Sequence, residues 1–186
     1  KAYFENGVEV KGKYWETEKA IDSTKKFIEQ GNEIIFEATA MHPVTGAFSK
    51  IDVLRKVPNT NEWDLIEVKS AANIKSYHID DISFQYYVFH HAGYNIRCCF
   101  LMLLNRDYIQ RGVIDPKGLL RLEDITEKVV EKQNTIDVLA TQLAVVPTQK
   151  NEPTIAIGSH CFTPFECDYK EHCWKHVPEY SIYNLF

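Results

Sequence analysis

Three residues in two nearby stretches of this chain have the types and spacing of a metal-assisted hydrolytic site. The stretches are Ser49-Lys50-Ile51-Asp52-Val53-Leu54 and Leu65-Ile66-Glu67-Val68-Lys69-Ser70. Alternate residues of a strand share a face, so Glu67 and Lys69 project together while Ile66 and Val68 are expected in the core. Asp52, on an adjacent antiparallel strand, is expected beside them, with both carboxylates on a solvent-accessible face. Two convergent carboxylates make an oxygen-rich site for Mg2+ or Mn2+. A lysine next to them can orient or activate water and steady the charge of a developing phosphorane. That combination suits phosphodiester hydrolysis.

The elements that must position these residues are legible as hydrophobic periods. Tyr14 to Gln30 carries Tyr14, Trp15, Ala20, Ile21, Phe27 and Ile28 at helical intervals, with Gly31 as a stop. Glu33 to Met41 is rich in β-branched and aromatic residues. His42-Pro43-Val44-Thr45-Gly46 turns it into a second run, Ala47 to Val57, and Pro58-Asn59-Thr60-Asn61 leads to a third, Trp63 to Lys69. His78 to Ala92 predicts a second helix closed by Gly93, and Arg97 to Leu104 a strand buried on both sides. Leu122 to Val146 predicts a third helix, with Asp124 and Thr126 as candidate caps. A strand parallel to the third follows from the crossover helix between them. Helices are expected on both faces of the sheet.

At 186 residues the chain suits one core, residues 1–150, followed by a tail, residues 151–186. No apolar run reaches the roughly 18 residues of a spanning helix. The start lacks a secretion signal and a methionine, which predicts a cytoplasmic protein and a piece of something longer. A net charge of -5 excludes coating of nucleic acid by a bulk positive field. The charge is uneven, though. Residues 50–121 carry ten Lys or Arg against eight Asp or Glu, so a locally basic groove fits an acidic chain.

Asp52 followed by Glu67-Val68-Lys69 resembles the PD-(D/E)XK nuclease superfamily, in which an Asp on one strand precedes an (Asp/Glu)-X-Lys on the next. The order of elements resembles the same family. The resemblance implies an α/β fold with a restriction-endonuclease-like core: helix, three-stranded antiparallel meander, helix and parallel strand, with a C-terminal helix and a cysteine-rich tail. Gln85, within Ser83-Phe84-Gln85-Tyr86-Tyr87-Val88-Phe89, resembles the helix Gln of RecB-like members, whose usual Tyr four residues on is Phe89 here. By its chemistry Gln85 suits a hydrogen bond to the DNA backbone or to a site carboxylate, and Tyr87 suits stacking or a phosphate contact. RecB-like members also place a His on the first helix after a Gly. Gly7-Val8-Glu9-Val10-Lys11 has no His, which leaves Glu9 as a substitute ligand, and Glu37 on the first strand is a weaker one.

The tail holds Cys161, Cys167 and Cys173 at intervals of five intervening residues in an aromatic setting. Thiolates so placed suit soft or borderline metals. They resemble the C-terminal cysteines of AddB-type and CRISPR-associated RecB-like exonucleases and of a family of uncharacterised bacterial proteins, which implies a 4Fe-4S cluster. Zn2+ completed by His160, His172 or His176 is the alternative. Cys98 and Cys99 are expected as inert core thiols.

The resemblance implies a Mg2+- or Mn2+-dependent deoxyribonuclease of repair, recombination or phage defence. Asp52, Glu67, Lys69 and Gln85 are its catalytic candidates. Single- or double-stranded DNA is the expected partner, a helicase or a preceding N-terminal region a further one, and a membrane is excluded. Two other readings stay open: a catalytically inactive nucleic-acid-binding module of the same fold, and an iron-sulfur redox or DNA-damage sensor.

Overall fold

The computed structural model describes residues 1–13 and 15–185, so Tyr14 of the expected first helix lies outside the described residues. The chain divides into two compact units, Lys1–Val145 and Val146–Phe186. The first is a mixed α/β unit built on a six-stranded mixed sheet, in the order β1 (Val8–Glu9), β2 (Ile34–Met41), β3 (Phe48–Lys56), β4 (Glu62–Val68), β5 (Asn95–Leu104) and β6 (Leu120–Asp124). Strands β2, β3 and β4 form the expected antiparallel meander, and β5 adds parallel to β4.

Helix α1 (Thr17–Glu29) buries Ala20 and Thr24. The Thr24 hydroxyl donates to Ala20 O and accepts the Thr39 amide, both at 2.9 Å, which pins the helix to β2. Gly31, at φ +78°, closes it, with its own amide on Ile28 O and that of Asn32 on Phe27 O. Helix α2 (Ser76–His91) is the crossover between β4 and β5.

The larger core lies on the helix side of the sheet. It joins Ala20 of α1 and Ile82, Val88 and Phe89 of α2 to Ile35, Leu54, Leu65 and Leu101 of the sheet, together with Val129 and Ala140 further along. The opposite face carries a smaller cluster of Phe36, Val53, Ile66 and Met102, covered by Tyr3 and Phe4. Among the described residues of this unit no helix residue joins that cluster, so the expected cover of helices on both faces is corrected. Gly7 is where the N-terminal segment crosses Phe36; a Cβ there would lie 2.3 Å from the ring. Val8 and Glu9 then pair with Ile35 and Phe36 as a parallel edge strand.

The third expected helix is corrected too. Leu120 to Asp124 is a strand antiparallel to β5, because Leu120 and Leu122 alternate onto the smaller cluster. The helical pattern begins after it, as α4 (Thr126–Glu131) and α5 (Gln133–Ala144), following a four-residue α3 (Pro116–Leu119). Asp124 and Thr126 do mark the start, Asp124 Oδ1 accepting the Thr126 amide at 2.9 Å. In the second unit, a 3-10 turn at Ser159–Cys161 and the short α6 (Lys170–Trp174) carry two of the three tail cysteines.

Candidate active site

Asp52 and Glu67 lie where the meander opens. Paired register between β3 and β4 runs from Lys56 and Trp63 to Val53 and Ile66 and stops one step short of Asp52 and Glu67. The Asp52 carboxylate replaces the next ladder bond, accepting the Val68 amide on Oδ2 at 2.7 Å. Sheet alternation is interrupted beside it. Ile35 and Ala38 both enter the helix-side core, as do Ile51 and Leu54, whereas Phe36 and Val53 face the other way. Glu37, between the paired positions Phe36 and Ala38, sits at φ +59°, a left-handed conformation uncommon outside glycine. Counting back by two from Leu54 then puts Asp52 on the helix side, where Leu65 and Glu67 also point.

The expected solvent-accessible face is corrected for Glu67, over which α2 lies, whereas Asp52 keeps partial exposure. Glu67 is 8% exposed. Val68, expected in the core, is 40% exposed instead, while Ile66 is fully buried as expected. A buried carboxylate needs donors, and Glu67 has two. Lys69 Nζ donates to Oε1 at 2.7 Å, and Gln85 Nε2, reaching across from α2, donates to Oε2 at 2.9 Å. Burial and then the charge of Asp52 push the Glu67 carboxyl up to about 7, against the pull of Lys69 and Gln85. Lys69 is in turn held by Asp81 of α2, its Nζ donating to Oδ2. Gln85 Oε1 is buried and has no hydrogen-bond partner among the described residues.

The structure thus brings together Asp52, Glu67, Lys69 and Gln85, all named from sequence, and adds Asp81, which was missed. Its only signal was its place four residues before Gln85 on one helix face. The other candidates fall elsewhere. Glu9 is on β1 rather than on a helix and pairs with Lys1 at 2.5 Å. Glu37 pairs with Lys50 at 3.6 Å. Tyr87 is buried, stacked on His42 with centroids 4.9 Å apart, and its hydroxyl donates to Asp137 at 3.2 Å, so it is not presented to a ligand.

Among the described residues no group of three or more His, Cys, Asp or Glu side chains is gathered to hold a metal ion. Cys161, Cys167 and Cys173 are free thiols and do not form one ligand set. Parts of their frame are close. The Cys167 amide donates to Cys161 O at 3.0 Å, and Phe162 meets Trp174 edge-on at 5.2 Å. The Trp174 indole N–H is buried with no acceptor among the described residues. His172, counted as a zinc ligand, pairs with Glu152 at 2.8 Å. Cys99 is buried and its thiol is pushed up by desolvation, as an inert core thiol should be; Cys98 is only half-buried.

No family model matches the chain, and no curated protein does. A solved structure described as the crystal structure of SSO0001 aligns with 73% of this chain and 77% of its own, at 14% identity and a TM-score of 0.31. Among the described residues no helix is long and apolar enough to cross a membrane.

Proposed function

We propose that this protein is a metal-dependent nuclease of the PD-(D/E)XK type that hydrolyses DNA phosphodiester bonds. One observation carries the reading: Glu67, buried beside Asp52, has its carboxyl pushed up to about 7 while Lys69 and Gln85 converge on it. A pair of carboxylates held close enough to repel is a site that a divalent cation relieves. The residues therefore fit Mg2+ or Mn2+, with Asp52 and Glu67 as the groups that would hold it. Such an ion supplies Lewis-acid stabilisation of the phosphate and a more acidic water.

The chain's own groups have separate tasks. Lys69 presents an ammonium whose hydrogen bonds can pass to the attacking water or to a phosphate oxygen as negative charge grows there. Gln85 orients the Glu67 carboxylate by donating to one of its oxygens. Asp52, fixed by the Val68 amide, keeps its own carboxylate at the open end of the strand pair. In the second unit, residue type and spacing alone support a 4Fe-4S cluster or Zn2+ with a structural role on Cys161, Cys167 and Cys173; among the described residues the three thiols are not gathered into one ligand set. A reading as a binding module without catalysis has one observation in its favour: both Glu67 oxygens are already engaged by Lys69 and Gln85.

The test is release of nucleotides or nicks from labelled single- and double-stranded DNA, with the tail metal kept in place during purification. Cleavage that appears with Mn2+ or Mg2+ and disappears with chelator supports the nuclease. Inactivity on every substrate while Mn2+ and DNA still bind supports the binding module.

A further inference from the structure

Asp81 touches both of the donors that hold Glu67. Lys69 Nζ donates to Glu67 Oε1 at 2.7 Å and also to Asp81 Oδ2, while Gln85 Nε2 donates to Glu67 Oε2 at 2.9 Å and lies 3.5 Å from Asp81 Oδ1. Asp81 and Gln85 are four apart on α2 and so stack on one face of the helix. The Asp81 side chain is 43% exposed, against 10% for that of Glu67.

Glu67 faces a problem of exchange. Each of its oxygens already accepts one protein donor, so an oxygen that turns toward a cation weakens the bond that it holds. Stripping Lys69 of its acceptor in a half-buried place costs free energy unless a second acceptor stands within reach. Asp81 stands within reach of both donors. The charges agree with this: Asp52, Glu67 and Asp81 against Lys69 leave two negative charges when all are ionised, the charge that a divalent cation balances.

We infer that Asp81 is a positioning residue that takes over Lys69 and Gln85 when Glu67 turns an oxygen to a divalent cation. This rests on the metal-dependent reading above and deepens it. Asp81 itself touches neither metal nor DNA in this scheme. It frees one ligand and keeps the site lysine charged and aimed.

The experiment is a mutant cycle read by Mn2+ calorimetry and, separately, by DNA cleavage. It uses the full chain and the variants Asp81→Ala, Asp81→Glu, Lys69→Ala/Gln85→Ala and the triple combination. Asp81→Ala should bind Mn2+ roughly tenfold more weakly, the scale of one charge-assisted hydrogen bond, and Asp81→Glu should recover most of that loss. In the Lys69→Ala/Gln85→Ala background, Asp81→Ala should change affinity by less than about twofold, whereas mere loss of a nearby negative charge would persist there. Should Asp81→Ala fail to fold, Asp81→Asn serves in its place, since it keeps the size and one oxygen acceptor while losing the charge. A loss that persists in the double background, or an Asp81→Ala protein that binds and cleaves as the wild type does, overturns the inference alone. Wild-type protein that binds no Mn2+ overturns the inference and the nuclease reading together.

Discussion

Gln85 donates to Glu67 across the gap between α2 and the end of β4, at 2.9 Å, and so joins the crossover helix to the strand that carries the (Asp/Glu)-X-Lys pattern. The bond places the helix glutamine on a site carboxylate rather than free to meet a DNA backbone. Removing it should act through Glu67. Gln85→Ala takes away a hydrogen bond to the charged form, so the Glu67 carboxyl rises further and the pH of half-maximal cleavage moves up by up to about one unit. The DNA KM should hardly change. A raised KM with an unshifted pH profile would instead assign Gln85 to the DNA.

Glu67 should also shape stability. Its folded pKa, about 7, lies above its ordinary value of 4.5 because of burial and the Asp52 charge. Between those values the folded state keeps a proton that the unfolded state has released. Its stabilising contribution is therefore complete below about pH 4.5 and is lost as pH rises through 7. At about 1.4 kcal/mol per unit, the ceiling is about 3.5 kcal/mol. Glu67→Gln should remove that slope and stabilise the metal-free protein at pH 8, as urea unfolding at pH 5 and pH 8 with chelator would show. Parallel pH dependences for the two proteins would refute this.

The same shift makes Mn2+ binding a proton-releasing event. At pH 6 most Glu67 carboxyls carry a proton that a metal must displace, and at pH 8.5 almost none do. Calorimetry in two buffers of different ionisation enthalpy should give close to one proton released at pH 6 and close to none at pH 8.5. Equal release at both values would place the cation away from Glu67.

Tyr87 is a contrasting case. Its hydroxyl serves Asp137 and its ring lies against His42, neither of them among the site residues. Tyr87→Phe should cost about 1 kcal/mol, the worth of one hydrogen bond, and leave cleavage unchanged. A loss of activity without a loss of stability would show that the residue reaches a ligand.

The meander, the crossover helix and the parallel strand were legible because each has a clean period and a turn at its end, such as Gly31 after α1 and Pro58 after β3. Asp52, Glu67 and Lys69 were legible from residue types and spacing, and Gln85 through the resemblance to RecB-like members. What was hidden is tertiary. Leu120 and Leu122 fit a helical and a strand period equally well, and only the free edge of β5 decides for β6. That Glu67 is buried depends on α2 lying over it, and the face change beside Asp52 goes with the left-handed backbone of Glu37 on the neighbouring strand. Neither is written in the alternation of one strand. Asp81 went unnoticed because no motif contains it, although i,i+4 spacing to Gln85 was there to be read.

The central claim is that Asp52 and Glu67 hold the cation that cleavage requires while Lys69 assists the attack. Its most direct measurement is Mn2+-dependent cleavage of labelled DNA by wild type, Asp52→Asn, Glu67→Gln and Lys69→Ala, with Mn2+ affinity recorded for each. Asp52→Asn and Glu67→Gln should lose cleavage and most of their Mn2+ affinity, while Lys69→Ala should still bind Mn2+ but cleave about 100-fold more slowly or worse. Cleavage that survives in both Asp52→Asn and Glu67→Gln would contradict it.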